Sequence, residues 1–305
     1  MKKLKDFFIT LLKGAGIGTA MIIPGVSGGT LALILGIYEK LIYAISHVFR
    51  KFKESMGLLI PVLIGALLSF VLLAKLIDPA LEYHLFPTIL FFFGAVLGGL
   101  PMLLNKLKGK QIRTSYVAIA VITFAVVIGL LFTGEGRDAS FEHMGFIGYL
   151  LLILVGAVSA ATMVIPGVSG SAFLMTVGYY KPVIAIIDNV RDNPGLAVKV
   201  LAPMAVGMVL GIFFIAKLIE YLLKNFEVQT YWGIVGFVVA SAAVIFIQNF
   251  FKVDGVWTNI GTVLAGTSVL DYILGVLLCA LGFFLAYKLG DRDDGRDSVP
   301  AVEDR

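Results

Sequence analysis

The chain has 305 residues, of which 59% are apolar or aromatic and only 14% charged, against roughly 25% charged in an ordinary soluble domain. With a mean hydropathy of +0.98, no single aqueous core could enclose so much apolar surface, and the composition requires lipid around the protein. The same numbers exclude a disordered chain. A net charge of +4, spread between apolar runs, offers nucleic acid no basic patch.

In chain order, the N-terminus reads as a basic amphipathic lead-in on the membrane surface. Lys13 cuts the apolar stretch after Phe7 too short for a secretory signal. Residues Gly14–Ile45 are apolar but interrupted by Pro-Gly-Val-Ser-Gly from Pro24. Three runs near membrane-spanning length follow, Gly57–Ile77, Phe86–Leu104 and Thr114–Thr133. A second broken stretch, Phe146–Ile187, is interrupted by the same pentapeptide from Pro166. Three more spans complete the chain: Val200–Leu222, Tyr231–Asn249 and Ile260–Tyr287, the last beginning late. Proline removes a backbone donor and glycine loosens the chain, so neither broken stretch is a continuous helix.

Lysine and arginine set the orientation. With the N-terminus inside and each broken stretch returning to its own side, 16 of them fall inside. Outside are only Arg137, Arg191, Lys199 and Lys252. Both termini are then cytoplasmic. Lys13 lies too close to Pro24 for a full crossing without entering the bilayer, at a cost of about 3 kcal/mol. A re-entrant hairpin is therefore preferred to two complete crossings.

The sequence also repeats itself. MIIPGVSGGTLALILGIYEKLI from Met21 matches MVIPGVSGSAFLMTVGYYKPVI from Met163, at an offset of 142 residues. The same offset pairs Gly36 with Gly178, Pro61 with Pro203, Gly65 with Gly207, and Ala-Lys-Leu-Ile at Ala74 with that at Ala216. The expected fold is an all-α polytopic membrane protein with an internal repeat, its halves 1–133 and 134–305. Each half has one re-entrant helical hairpin (about 14–45 and 146–187) and three transmembrane helices. Three crossings are odd, so the halves must have inverted topology, as in secondary transporters that bind substrate near midplane at the repeat interface.

The broken segments carry the candidate site. Small residues let backbone approach a ligand, and the amides after them suit an anion. Ser27, Gly28, Gly29 and Thr30 of one tip and Ser169, Gly170 and Ser171 of the other are the expected contacts. Tight helix packing is the competing explanation, and it is the better one for Gly94–Gly98 and Gly207–Gly211 inside plain spans.

Ionisable groups in apolar stretches are expensive. Glu39 and Lys181 are repeat equivalents, following Tyr38 and Tyr180, and are candidates for proton coupling or phosphate contact. Lys75 and Lys217 are weaker ones, equally explained as anchors reaching the headgroups. His47, His84 and His143 fall in connections, Asp78, Glu82, Glu135 and Glu142 in solvated loops, and Cys279 in an apolar run. No catalytic set, metal ligand spacing or cofactor motif emerges, so the expectation is a protein that is not an enzyme and needs no cofactor or metal.

The motif PGVSGGT with Gly36-Ile-Tyr-Glu-Lys-Leu-Ile, present again as PGVSG at Pro166, resembles the bacterial polyprenyl-phosphate transporter family from about Lys13 to Lys288. The resemblance implies a flippase in the bacterial cytoplasmic membrane. It would return undecaprenyl phosphate, the lipid carrier of cell-wall precursors, from the outer to the inner leaflet, with the two tips meeting the phosphate. Members of that family often carry an acid before the first proline, where this chain has Ala20-Met21-Ile22-Ile23; Glu39 is the substitute expected here if coupling uses protons. A carrier for a small soluble anion is the alternative, and a membrane-embedded lipid-phosphate enzyme a weaker one. A homodimer is compatible with the sequence, although the internal pseudo-symmetry lets one chain complete the site.

Overall fold

A computed structural model describes residues 2–22, 26–133, 136–141, 144–253 and 256–293. Pro24 and Gly25 of the first tip, Glu135, Glu142 and His143 lie outside the described residues, as do the side chains of 73–78, Lys75 and Asp78 among them. The first half contains α1 (Lys2–Ile22), α2 (Gly28–Ile34), α3 (Tyr38–Ser46), α4 (Phe52–Tyr83), α5 (Leu85–Leu107) and α6 (Thr114–Phe132). Then come α7 (Phe146–Val164), α8 (Gly170–Thr176), α9 (Tyr180–Asp188), α10 (Pro194–Asn225) and α11 (Glu227–Phe250). A two-residue-per-strand hairpin, β1 (Lys252–Val253) and β2 (Val256–Trp257), leads to α12 (Ile260–Val263) and α13 (Val269–Asp293). Among the described residues, seven helices are long and apolar enough to cross a membrane. The protein is an all-α polytopic membrane protein.

The starts of α2, α3, α4 and α5 each precede those of α8, α9, α10 and α11 by the 142 residues of the sequence offset. Both short pairs bend sharply, by 116° between α2 and α3 and by 108° between α8 and α9. The bend has a local cause. Gly36 and Gly178 adopt φ values of 65° and 77°, the left-handed conformation that ends helices at little cost only for glycine. Behind them Ile37 N–H bonds to Ala32 O and Tyr179 N–H to Leu174 O, both at 2.9 Å, closing the same terminal motif twice.

Glycine also sets the packing. A Cβ on Gly65 of α4 would lie 2.0 Å from the Leu11 carbonyl of α1, and one on Gly207 of α10 1.9 Å from the Ile153 carbonyl of α7. The reciprocal contacts, Gly14 on Val62 O and Gly156 on Met204 O, would both be 2.3 Å. These are one contact made twice, 142 residues apart. Gly94 and Gly98 of α5 meet Cys279 and Phe283 carbonyls of α13 in the same way, and Gly236 of α11 meets Ala120 of α6. Each half's α5-type helix thus packs on the last helix of the other half. The equivalents α5 and α11 touch at the centre and run antiparallel, with Phe86 against Phe250 at 5.8 Å and Phe93 against Phe246 at 5.9 Å.

The core lies around this contact, where Ile34, Ile89, Val96, Val238, Ile245 and Phe250 are fully buried. The outer faces of α6 and α13 stay apolar and exposed, as at Val121, Ile122, Val276 and Leu277, which is where lipid is needed. The halves differ in burial. Six residues of α2 are buried against only Gly170 of α8, and α3 buries Tyr38, Ile42, Ala44 and Ser46 where α9 buries only Val183.

Some boundaries differ from the sequence expectation. The N-terminal lead-in is no separate surface segment: α1 runs unbroken to Ile22 and packs along α4. Helix α4 continues past Ile77 and through Pro79 to Tyr83, so Asp78 and Glu82 belong to a helix rather than a loop, with Glu82 exposed. The last span begins late, as the sequence indicates, at Val269, nine residues after Ile260. A reciprocal cap fixes that start: Ser268 Oγ donates to Asp271 Oδ2 at 2.8 Å and accepts from Asp271 N–H at 3.1 Å.

Candidate functional site

The two tips line one cavity of about 260 Å³. Ser27, Gly28 and Gly29 form one side, and Ser169, Gly170 and Ser171 the other, with Tyr38, Ile42, Met21 and Met163 completing the wall. The tips touch through backbone. A Cβ on Gly29 would come within 2.9 Å of the Val164 carbonyl and 3.3 Å of Pro166 Cα, so this position admits no side chain without parting the tips. Gly167, at φ 85°, lies just as close to α11, where a Cβ would meet the Phe237 carbonyl at 2.2 Å.

Ser27 and Ser169 occupy the residue before α2 and before α8, where a hydroxyl ordinarily caps the helix. Neither does so here. Ser27 Oγ is buried, 4% exposed by residue, and has no hydrogen-bond partner. Ser169 Oγ instead pairs with Ser171 Oγ at 2.8 Å. Thr30 and the Tyr38 hydroxyl are also buried without partners. A buried, unmet hydroxyl costs about 1–3 kcal/mol. Ser27 and Tyr38 line the cavity, so an acceptor placed there relieves that cost. Thr30 does not line it.

The remaining candidates are dispersed. Glu39, at the start of α3, accepts a hydrogen bond from the Tyr231 hydroxyl of α11 and pairs with Lys106 of α5 at 3.5 Å. It does not line the cavity; it ties the first bent pair to the central helices. Lys181 is exposed on α9, Tyr180 half-buried, and Lys217 of α10 sits over the Phe213 ring at 4.8 Å. None of these three lines the cavity. His47 lies 3.5 Å from Glu220, and His84 Nδ1–H donates to Asp271 Oδ1 at 2.8 Å. Cys279 is only partly buried. No group of three metal-binding side chains occurs among the described residues.

Sequence reasoning missed Tyr231, Lys106, Met163 and Met21. The first two are separated from Glu39 by 192 and 67 positions, and nothing in their own neighbourhoods marks them.

A polytopic membrane protein with two bent, glycine-rich helix pairs converging on one hydroxyl-lined cavity is the class this geometry defines. Residues 17–254 match the model of the VCA0040-like family, described as undecaprenyl phosphate translocase-like, and the chain belongs to that family. It is 33% identical over 290 residues to a Polyprenyl-phosphate transporter of Staphylococcus aureus (strain NCTC 8325 / PS 47), covering 93% of this chain and 96% of that protein. It is 28% identical over 253 residues to a Polyprenyl-phosphate transporter of Vibrio cholerae serotype O1, covering 78% and 77%. No solved structure matches the chain.

Proposed function

We propose that the chain is a flippase that returns undecaprenyl phosphate from the outer to the inner leaflet of the bacterial cytoplasmic membrane, without enzymatic turnover. The phosphate binds near midplane between the two PGVSG tips. The observation that carries this reading is the shared cavity itself, where the Ser27 hydroxyl is buried, unpartnered and not used as a cap. The names of the relatives agree with it.

The mechanism follows from the duplication. Residues 1–133 and 134–305 are inverted repeats, each with a re-entrant hairpin and three crossings, the span-length α7 serving as the entering arm of the second hairpin, and with both termini cytoplasmic. The antiparallel contact of α5 with α11 and the exchanged packing of α6 and α13 support that relation. Hydroxyls and free amides at the tips hold the dianion without a fixed cation, which keeps release easy. Glu39 is the coupling residue, acting through the packing of α3 rather than by touching phosphate; Lys181 is its counterpart on α9. One chain supplies both tips, so the site needs no second copy.

The test is translocation of undecaprenyl phosphate in proteoliposomes, with and without a pH gradient, beside direct binding of the lipid. Gradient-accelerated movement that is absent for phosphate-free polyprenol is expected. Ser27→Ala with Ser169→Ala removes two hydroxyl donors to a charged ligand and weakens binding about tenfold or more. Unchanged affinity in a correctly folded double variant contradicts the anion site. Transport of inorganic phosphate but not of the lipid supports the soluble-anion reading instead.

A further inference from the structure

A second cavity, of about 370 Å³, lies between α6, α10 and α11 and abuts the second tip. Ile119, Ile215, Leu218, Ile234 and Phe237 give it an aliphatic and aromatic wall, with Pro166 among the lining residues. No charged side chain lines it among the described residues. The Thr123 and Thr230 hydroxyls are already bonded to the Gly233 and Phe226 carbonyls, at 3.0 and 2.8 Å. Beyond these, only the Tyr38 hydroxyl and the Gln229 amide are polar side chains in the lining, so the cavity is built for hydrocarbon rather than for a phosphate.

The duplication shows how it opens. Gly233 on α11 stands where Phe91 stands on α5, 142 residues earlier. A Cβ on Gly233 would meet only methyl groups of Ile119 and Thr123, at 3.5 and 3.7 Å. That is ordinary van der Waals contact, so the glycine leaves space where the first half carries a phenylalanine.

Two features connect this groove with the cavity between the tips. Tyr38 lines both, and its hydroxyl is buried without a partner. The second tip is a wall of both as well: Val164 and Val168 line the first cavity, Ile165 and Pro166 the second. Leu218 and Phe226, also lining the groove, are 50% and 46% exposed, so this part of it reaches the surrounding lipid.

We propose that the groove binds the hydrocarbon adjoining the phosphate, the first isoprene units of the polyprenyl phosphate whose headgroup lies between the tips; this rests on the function proposed above. Its volume is at the small end of ligand pockets, about 300–1,000 Å³, enough for a few units while the rest of the chain stays in the bilayer. Because the tail comes from lipid and not from water, the gain is close packing rather than burial. The groove therefore selects for the shape of the proximal chain.

The experiment is calorimetric titration of the purified full chain with farnesyl phosphate, three isoprene units long, and dimethylallyl phosphate, one unit long. The wild-type protein should prefer farnesyl phosphate by about tenfold or more, a ratio typical of a few methylenes in a fitted pocket. Gly233→Leu fills the groove from α11, and Leu218→Trp narrows it from the exposed rim, where folding is less at risk. Both variants should lose most of the preference and keep the affinity for dimethylallyl phosphate. A preference that survives in a folded Leu218→Trp protein overturns the groove, and so does equal loss for both ligands. Wild-type binding of both phosphates with no preference also overturns it while leaving the anion site standing. Binding of neither overturns the anion site and the groove together.

Discussion

Removing the Glu39 carboxylate should unlock the first bent pair. Glu39 joins α3 to two other helices, through the Tyr231 hydroxyl on α11 and Lys106 on α5. A hydrogen bond to a charged group contributes about 1.5–3 kcal/mol. The ion pair adds less, because Lys106 and Glu39 are 37% and 38% exposed and such pairs contribute about 0–1 kcal/mol. A loss of about 2 kcal/mol raises the population of the loosened state roughly 30-fold, at tenfold for every 1.4 kcal/mol. The assay is the rate at which a cysteine at Ile45, a half-buried residue lining the cavity, reacts with a membrane-impermeant maleimide. The sole native cysteine is first removed by Cys279→Ala. If opening limits labelling, Glu39→Ala should speed it by that factor, and Glu39→Gln, which retains an acceptor, by less. Equal rates in Glu39→Ala and its parent, with thermal stability retained, would refute the reasoning.

Three further outcomes are expected. Gly65→Ala and Gly207→Ala each force a Cβ to within 2.0 and 1.9 Å of a facing carbonyl and should lower stability by about 1–3 kcal/mol. Gly57→Ala, which meets nothing within 4 Å, should instead raise it by about 0.5–1 kcal/mol; thermal unfolding in detergent ranks the three. Asp271→Asn weakens the reciprocal cap of α13 and the contact with His84, and hydrogen exchange of the first turn of α13 should speed up accordingly. Glu39→Gln should alter the pH dependence of lipid translocation in proteoliposomes, and an identical profile removes Glu39 from coupling.

Much of this was legible because the signals are strong and repeated. Long apolar runs mark α5, α6 and α11 to within about four residues and the body of α10, which starts six residues before Val200, and proline with glycine marks both breaks. The single 142-residue register predicted that α2, α3 and α4 would recur as α8, α9 and α10. What escaped has a physical reason. Helices apolar on every side carry little periodic signal, so the sequence could not say which face of α6 meets α11 and which meets lipid. The apolar run ends at Ile77, before Asp78, but α4 goes on through Pro79 to Tyr83, because hydropathy marks the part of a helix in lipid and not the turn beyond it. The pairing of Glu39 with Tyr231, like the sharing of Tyr38 between two cavities, depends on how distant helices cross. The unequal burial of the two bent pairs is a property of the packed state alone.

That inequality gives the duplication its meaning. The backbone contacts that need glycine are kept in both halves, at Gly65 and Gly207 and at Gly14 and Gly156. The side chains around the bent pairs are not kept. Where the first half is joined by Glu39, Tyr231 and Lys106, the equivalent positions hold Lys181, Ile89 and Gln248, a set with no acid to accept the tyrosine's proton and no tyrosine to offer it. In the transport cycle proposed above, halves with identical fastenings would make the two ways of closing the molecule equal in energy. The second pair is held differently, by bonds from Gly136 N–H to Met175 O at 3.1 Å and from Ala139 N–H to Gly178 O at 2.9 Å and by the Thr133–Thr176 hydroxyl contact at 3.1 Å, and it buries less of α8 and α9 than the first pair buries of α2 and α3. In that cycle a ligand shifts the balance between the two arrangements only by binding one of them more tightly. Contacts that differ between the tips are the place to find that difference: Gly29 faces backbone where Ser171 offers a hydroxyl, and Thr30 is a buried hydroxyl where the second half has Ala172.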